Sequence, residues 1–115
     1  MTAFDELTRG DLVWASDPLS GKGRPMLVLG SPRLPNHGVQ LITALVSTKT
    51  YHEESVTLRD DDYEGEPLDE RSHVLPWSLA TLNSHTLVEF RMTSLIDRRT
   101  ADVAAQAIGY IDCGH

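Results

Sequence analysis

The chain has 115 residues, 40% of them apolar and 23% charged, enough for one domain over residues 1–115 and too few for a second core. No repeat, low-complexity tract or apolar run approaching about 18 residues occurs, which excludes a solenoid, a disordered chain and a membrane-spanning helix. The net charge of −7 argues against phosphate-bearing partners only until it is located: residues 1–59 and 71–115 are each balanced, and the whole excess sits in Asp60, Asp61, Asp62, Glu64, Glu66, Asp69 and Glu70.

The N-terminal stretch MTAFDELTRGD has the pattern of no targeting segment, so a cytoplasmic protein without membrane contact is expected. Asp11-Leu-Val-Trp-Ala15, between Gly10 and Ser16-Asp-Pro18, reads as a first strand. The loop over 17–23 contains Pro18, Gly21 and Gly23. A second strand, Met26–Leu29, follows Pro25, whose missing N–H is tolerable at a strand start. After a turn region over 30–38, the β-branched run Val39–Val46 gives a third strand. Ser55–Leu58 gives a fourth.

The acidic segment, with Gly65 and Pro67, reads as a loop. It is either a solvated surface or a lid whose charge competes for Lys22, Arg24 and Arg33. His73–Leu75 begins a further strand, and Pro76 implies an edge or a bulge there. In the tail, Val103, Ala104, Ala107, Ile108 and Ile111 share one helical face, with Asp97 as the expected N-cap and Gly114 just past the end. Four or five strands followed by an amphipathic helix define a β-rich α+β fold built on a small, strongly curved sheet or barrel. The lone cysteine, Cys113, cannot form an internal disulfide. Only two of the ten basic residues are lysines, a balance compatible with a salt-adapted host.

Gly10-Asp-Leu-Val-Trp14, followed after a Gly-rich loop by Gly23-Arg-Pro-Met-Leu-Val-Leu29, resembles the PemK/MazF family of toxin endoribonucleases. The similarity spans nearly the whole chain, with Ser72–Asn83 in the place of the family's late Thr-Ile-Asp strand. The resemblance implies an SH3-like barrel and a homodimer that cuts single-stranded RNA without a metal or other cofactor. It further implies a cognate antitoxin protein, with DNA contacted only through the antitoxin complex.

Metal-free cleavage makes the ribose 2′-OH the nucleophile, so the protein must orient that hydroxyl, move protons and stabilise charge on the phosphorane. An arginine suits the last task because its fork binds two phosphate oxygens and stays charged. Arg24 matches the family's active-site arginine. Pro25 biases Arg24 toward extended backbone, and Gly21 and Gly23 would let the loop approach a phosphate. Counted without gaps from Arg24, the family's catalytic hydroxyl falls on Ser47, with Thr48 beside it. Strand alternation allows only one of the two to share a face with Arg24, and Ser47 is the expected one.

Where some relatives carry an arginine and an acidic residue, this chain has Leu75 and Trp77, and a further arginine is replaced by Ala80. Acid–base chemistry would then come from elsewhere. His73 is the nearest substitute among the histidines, with His85 and His37 further candidates, and no pair of them has metal-ligand spacing. Lys22, Gly23 and Arg33 are expected to touch the substrate. Trp77, after Pro76, is expected to stack on a base in preference to Trp14, which lies in an apolar strand. The missing charges also leave open a second reading, a catalytically impaired protein of the same fold that binds nucleic acid or a partner. A serine hydrolase is set aside, because no Gly-x-Ser-x-Gly elbow occurs.

Overall fold

The computed structural model describes residues 6–16, 20–30, 40–49, 52–83 and 88–112. The apolar runs become strands β1 (Asp11–Ser16), β2 (Gly23–Val28) and β3 (Gln40–Ser47), followed by β4 (Val56–Thr57), β5 (His73–Asn83) and β6 (Val88–Ser94). One helix, α1 (Asp97–Ile111), follows, and it is not long and apolar enough to cross a membrane. The strands form one six-stranded sheet in the order β4, β5, β3, β2, β1, β6, with every neighbouring pair antiparallel. Among the described residues β4 does not pair with β6, so the sheet is open where a closed barrel was expected.

Alternation along the strands supplies two cores. One unites Leu12, Leu27, Ala44, Val46 and Val74 with Leu95 and Val103, the last from α1. The other unites Val13, Ala15, Met26, Val28, Leu41, Leu82 and Val88. Both sheet faces are therefore apolar at the centre, which matches the near-continuous hydrophobic runs of β1 to β3. Thr43, fully buried between β2 and β5, donates its hydroxyl to the Ala80 carbonyl at 2.9 Å.

Pro76 produces the bulge expected of it, but β5 continues beyond. The β3–β5 register passes from Ala44↔Leu79 to Leu45↔Leu75, so Pro76, Trp77 and Ser78 are looped out and no ladder bond is asked of the proline. Strand β6 was not expected. Bulges at both Leu12/Val13 and Trp14/Ala15 of its pairing with β1 break the link between alternation and burial.

The helix begins one residue earlier than a cap at Asp97 would place it. Ile96 is the extended N-cap residue, and its carbonyl accepts from the Arg99 and Thr100 N–H groups. Asp97 instead lies in the first turn, where a carboxylate favours the helix dipole. The expected apolar face is only half covered: Val103 and Ala107 are buried, whereas Ile108 and Ile111 are exposed beside Tyr110. Gly114 and Cys113 lie outside the described residues.

The acidic segment is more ordered than a plain loop. Asp60–Asp62 forms a short 3-10 turn, and the Asp62 carboxylate accepts the Arg59 N–H at 2.8 Å. The same carboxylate pairs with Arg99 Nε at 3.3 Å, and Arg99 also donates to the Thr57 carbonyl at 3.0 Å. Glu64 N–H bonds the Ser94 carbonyl at 2.8 Å and Ile96 N–H the Asp62 carbonyl at 2.9 Å. One buried carboxylate thus ties β4, the acidic segment and α1 together.

Removing it takes the carboxylate from Arg99 Nε and the acceptor from the Arg59 N–H. Asp62→Ala is expected to cost about 1–3 kcal/mol in urea unfolding, against less than about 0.5 kcal/mol for the exposed neighbour in Asp61→Ala. Equal effects would contradict the role given to Asp62. Tyr63 offers a pH test. Burial raises its phenol above the ordinary value of 10.0; a hydrogen bond with the Leu68 backbone opposes the rise, and Asp60 and Asp62 add to it. The native state holds this proton more tightly than the unfolded chain, so the contribution is intact below the unfolded pKa and is lost as pH rises through the native one. Between about pH 9 and 11 wild type should lose more stability than Tyr63→Phe.

Candidate functional site

A groove of about 1220 Å³ opens at the end of the sheet where β1 and β3 finish and β2 and β5 begin. Its floor and walls include Trp14, Gly23, Arg24 and Pro25 from β1 and β2, Ser47, Thr48 and Lys49 from the end of β3, and Phe90 and Arg91 from β6. Glu66, Asp69 and Glu70 of the acidic segment also line it.

Arg24 and Ser47 line the same groove. The β2–β3 ladder runs from Val28↔Thr43 to Met26↔Leu45, and Arg24 and Ser47 each stand two residues beyond that last pair, so alternation gives each the face of its paired neighbour. Residues opposite each other in an antiparallel pair share a face. Thr48 follows Ser47 and reaches the groove from beyond the strand end. Arg24 is half-buried, with its Nε shielded from solvent. The Ser47 oxygen accepts the Lys49 N–H at 3.1 Å, a turn that fixes the hydroxyl at the strand terminus.

The remaining expected site residues divide. Lys22 and Gly23 line the groove, and Arg33, His37 and His85 lie outside the described residues. His73 pairs with Ser47 across the ladder but is only 4% exposed and does not line the groove. Its Nδ1 lies 2.9 Å from the Thr57 hydroxyl, a bond that ties β4 to β5. Trp77 is also elsewhere. The bulge carries it to α1, where it makes edge-on contacts with Tyr110 at 5.7 Å and His52 at 5.1 Å. Trp14, and not the expected Trp77, is the tryptophan that lines the groove. Phe90 and Arg91 also line it, although no sequence motif singled them out; the signal available was the alternation of Val88, Phe90 and Met92 with Glu89 and Arg91.

Gly23 has a different role from the expected one. A Cβ there would stand 2.6 Å from Trp14 Nε1, so the missing side chain makes room for the indole rather than for a phosphate. Gly21 is required by its backbone, with φ of +73°.

Four cations (Lys22, Arg24, Lys49, Arg91) and three carboxylates (Glu66, Asp69, Glu70) line the groove. The surplus is slight, yet it is cationic in a chain of net charge −7. Among the described residues no three His, Cys, Asp or Glu side chains group as a metal-binding set.

A β-rich α+β sheet with one C-terminal helix and a strand-end groove holding an arginine and a hydroxyl is the class of protein this fold and site define. Among solved structures it is similar to an endoribonuclease in complex with its cognate antitoxin from a mycobacterial species, at 16% identity over 96% of this chain and 93% of that one, with a TM-score of 0.63. The Mycobacterium tuberculosis toxin MazF-mt6 is similar at 19% identity over 87% and 93%, with a TM-score of 0.64. The MazE-MazF structure from Deinococcus radiodurans is similar at 17% over 92% and 95%, with a TM-score of 0.65. The chain thus has the fold of the MazF toxins. No family model matches the sequence, and no curated protein does.

The Gly23–Trp14 contact gives a direct test of groove geometry. Gly23→Ala should displace the indole, cost about 1–3 kcal/mol and shift the tryptophan emission. Unchanged stability and emission would show that Trp14 does not rest on Gly23.

Proposed function

We propose that this chain is a MazF-like toxin of a toxin–antitoxin pair, an endoribonuclease that cleaves single-stranded RNA without a metal. The observation that supports the reading is that Arg24 and Ser47 line one groove of about 1220 Å³ in a chain with the MazF fold.

In this reading the 2′-oxygen attacks the adjacent phosphorus, its proton leaves, and the bond to the 5′-oxygen breaks as that oxygen takes a proton. The products are a 2′,3′-cyclic phosphate and a 5′-hydroxyl. Arg24 binds the phosphate oxygens on which charge develops, and being fixed in advance it need not reorganise as the reaction proceeds. The hydroxyl of Ser47, with Thr48 beside it, orients the phosphate or the 2′-OH. Lys22 and Lys49 draw the backbone in, and Trp14 and Phe90 offer rings on which a base can rest. Since His73 is buried and does not line the groove, Glu66, Asp69 and Glu70 are the carboxylates of the groove available to accept the proton. The three carboxylates of the lining repel phosphates and so bias the strand toward the cations.

The neighbours include complexes with antitoxins, and a cognate antitoxin together with a homodimer belongs to this reading. The exposed Ile108, Tyr110 and Ile111 provide an apolar surface of the kind such contacts cover. DNA would be met only through the antitoxin complex.

Purified protein should cut a mixed single-stranded RNA in EDTA, and Arg24→Ala should lower the rate about 100-fold or more while leaving the melting temperature unchanged. Ser47→Ala should cost more activity than Thr48→Ala. Cleavage that persists in Arg24→Ala contradicts the proposed site. RNA bound but never cut by the wild type would favour the second reading, a binding protein of the same fold, which the absence of charge at Leu75 and Trp77 supports.

A further inference from the structure

Arg24 and Ser47 address the backbone of a nucleic acid, and the bases need a surface of their own. Trp14 stands directly opposite Pro25 on β2 and Phe90 on β6, and all three line the groove. Residues opposite each other in antiparallel strands share a face, with Cβ atoms about 5 Å apart. A proline ring, an indole and a phenyl ring therefore form one row across β2, β1 and β6. Phe90 is 45% exposed despite its size.

Phe90 joins this row only through an irregularity. Val88 sits opposite Ala15 and Phe90 opposite Trp14, with a register shift between the two pairs. In a regular strand Phe90 would follow Val88 onto the face of the core that Val88 and Ala15 share. The extra residue, Glu89, turns it to the other face, as a bulge beside a site can re-aim a side chain. Gly23 makes a second provision. A Cβ there would stand 2.6 Å from Trp14 Nε1, so the indole rests against the β2 backbone and is held in place before any ligand arrives.

The row and the arginine belong to opposite sheet faces. Trp14 and Pro25 continue the alternation of Leu12 and Leu27, which pack toward α1, whereas Arg24 continues that of Met26 and Val28, and Ser47 that of Leu45. Both sets line one groove because it opens at the strand ends. Rings alone would suit an apolar peptide. Rings in a groove that also holds Lys22, Arg24, Lys49 and Arg91 suit a nucleic acid, whose bases stack on π-faces while its phosphates meet cations. The spacing along the row exceeds the roughly 3.4 Å between successive nucleotides of a helical strand, so it fits bases that have come apart from one another.

We propose that Pro25, Trp14 and Phe90 are the base platform of the groove, on which unpaired bases rest while the backbone passes over the strand ends to Arg24 and Ser47. The platform rests on the RNA reading given above. It makes Phe90 a substrate-binding residue and gives the preference for a single strand a physical cause, because a duplex keeps its bases stacked and cannot divide bases and backbone between two faces of a sheet.

The test uses the full chain and an uncleavable single-stranded 2′-O-methyl RNA, together with versions of it made abasic at one position at a time. In the wild type at least one abasic position should weaken binding about tenfold. Phe90→Leu, which keeps an apolar side chain without a ring, should weaken binding of the intact strand by a similar factor and lose nothing further at that position. Phe90→Trp, which keeps a ring, should bind as the wild type does. The slope of log K against log salt should be unchanged in both variants, since no phosphate contact is lost. Trp77→Phe leaves Trp14 as the single tryptophan, and its emission should fall on binding the intact strand and stay unchanged with a wholly abasic one. The abasic series and the emission are read with Phe90 in place, so they decide the matter even if Phe90→Leu fails to fold. Equal binding of intact and abasic strands, or unaltered Trp14 emission, overturns the platform and leaves the RNA reading standing. A wild-type protein that binds no oligonucleotide at all overturns both.

Discussion

The pairing of Met26 with Leu45 across β2 and β3 sets everything downstream in the groove. Side chains alternate along a strand, so a slip of one residue would turn Ser47 away from Arg24 and send each apolar residue of β3 to the opposite face. Both faces of this sheet are packed, one against α1 and the other within the curl of the strands. A slip would therefore disturb two cores at once. Thr43 adds a directional lock, because its buried hydroxyl finds the Ala80 carbonyl only in the observed register. The relation between the arginine and the hydroxyl is thus fixed by hydrophobic burial several residues away.

Charge follows a similar economy. The seven surplus carboxylates occupy one segment, but they are not equivalent. Asp62 is buried and shared between a turn and Arg99, while Glu66, Asp69 and Glu70 line the groove with its cations. A protein that is acidic overall can keep surplus cations in a groove when the anions are gathered where structure needs them or where they bias the path of a strand. Net charge, which predicts solubility and long-range steering, says little about such a site.

Much of the architecture was legible because the apolar runs of β1, β2 and β3 are bounded by glycine, proline and aspartate, and because Val103 and Ala107 follow the helical period. Arg24 and Ser47 were legible through a resemblance, whose catalytic hydroxyl the gapless count placed on Ser47, while alternation said only that Ser47 and Thr48 cannot both share Arg24's face. Other features depend on irregularity, which has no period to read. The looped-out Pro76–Ser78 hides the length of β5 and carries Trp77 to the helix. The two bulges of β6 hide that strand and, with it, Phe90 and Arg91. Trp14 reads as core filler because its neighbours are apolar, and only the tertiary contact with Gly23 reveals its place. His73 reads as a titratable group near the site, yet its nearest partner is a threonine on β4 that cannot be found from spacing.

The junction of Asp11 with Ser94 joins positions 83 residues apart, and β6 closes onto β1 across all the strands that lie between them in the chain. During synthesis the segment carrying Arg24 and Ser47 emerges first, without the last wall of its cleft. The cleft is thus finished by the strand pairing of longest sequence separation, the kind whose loop-closure cost makes it late to form.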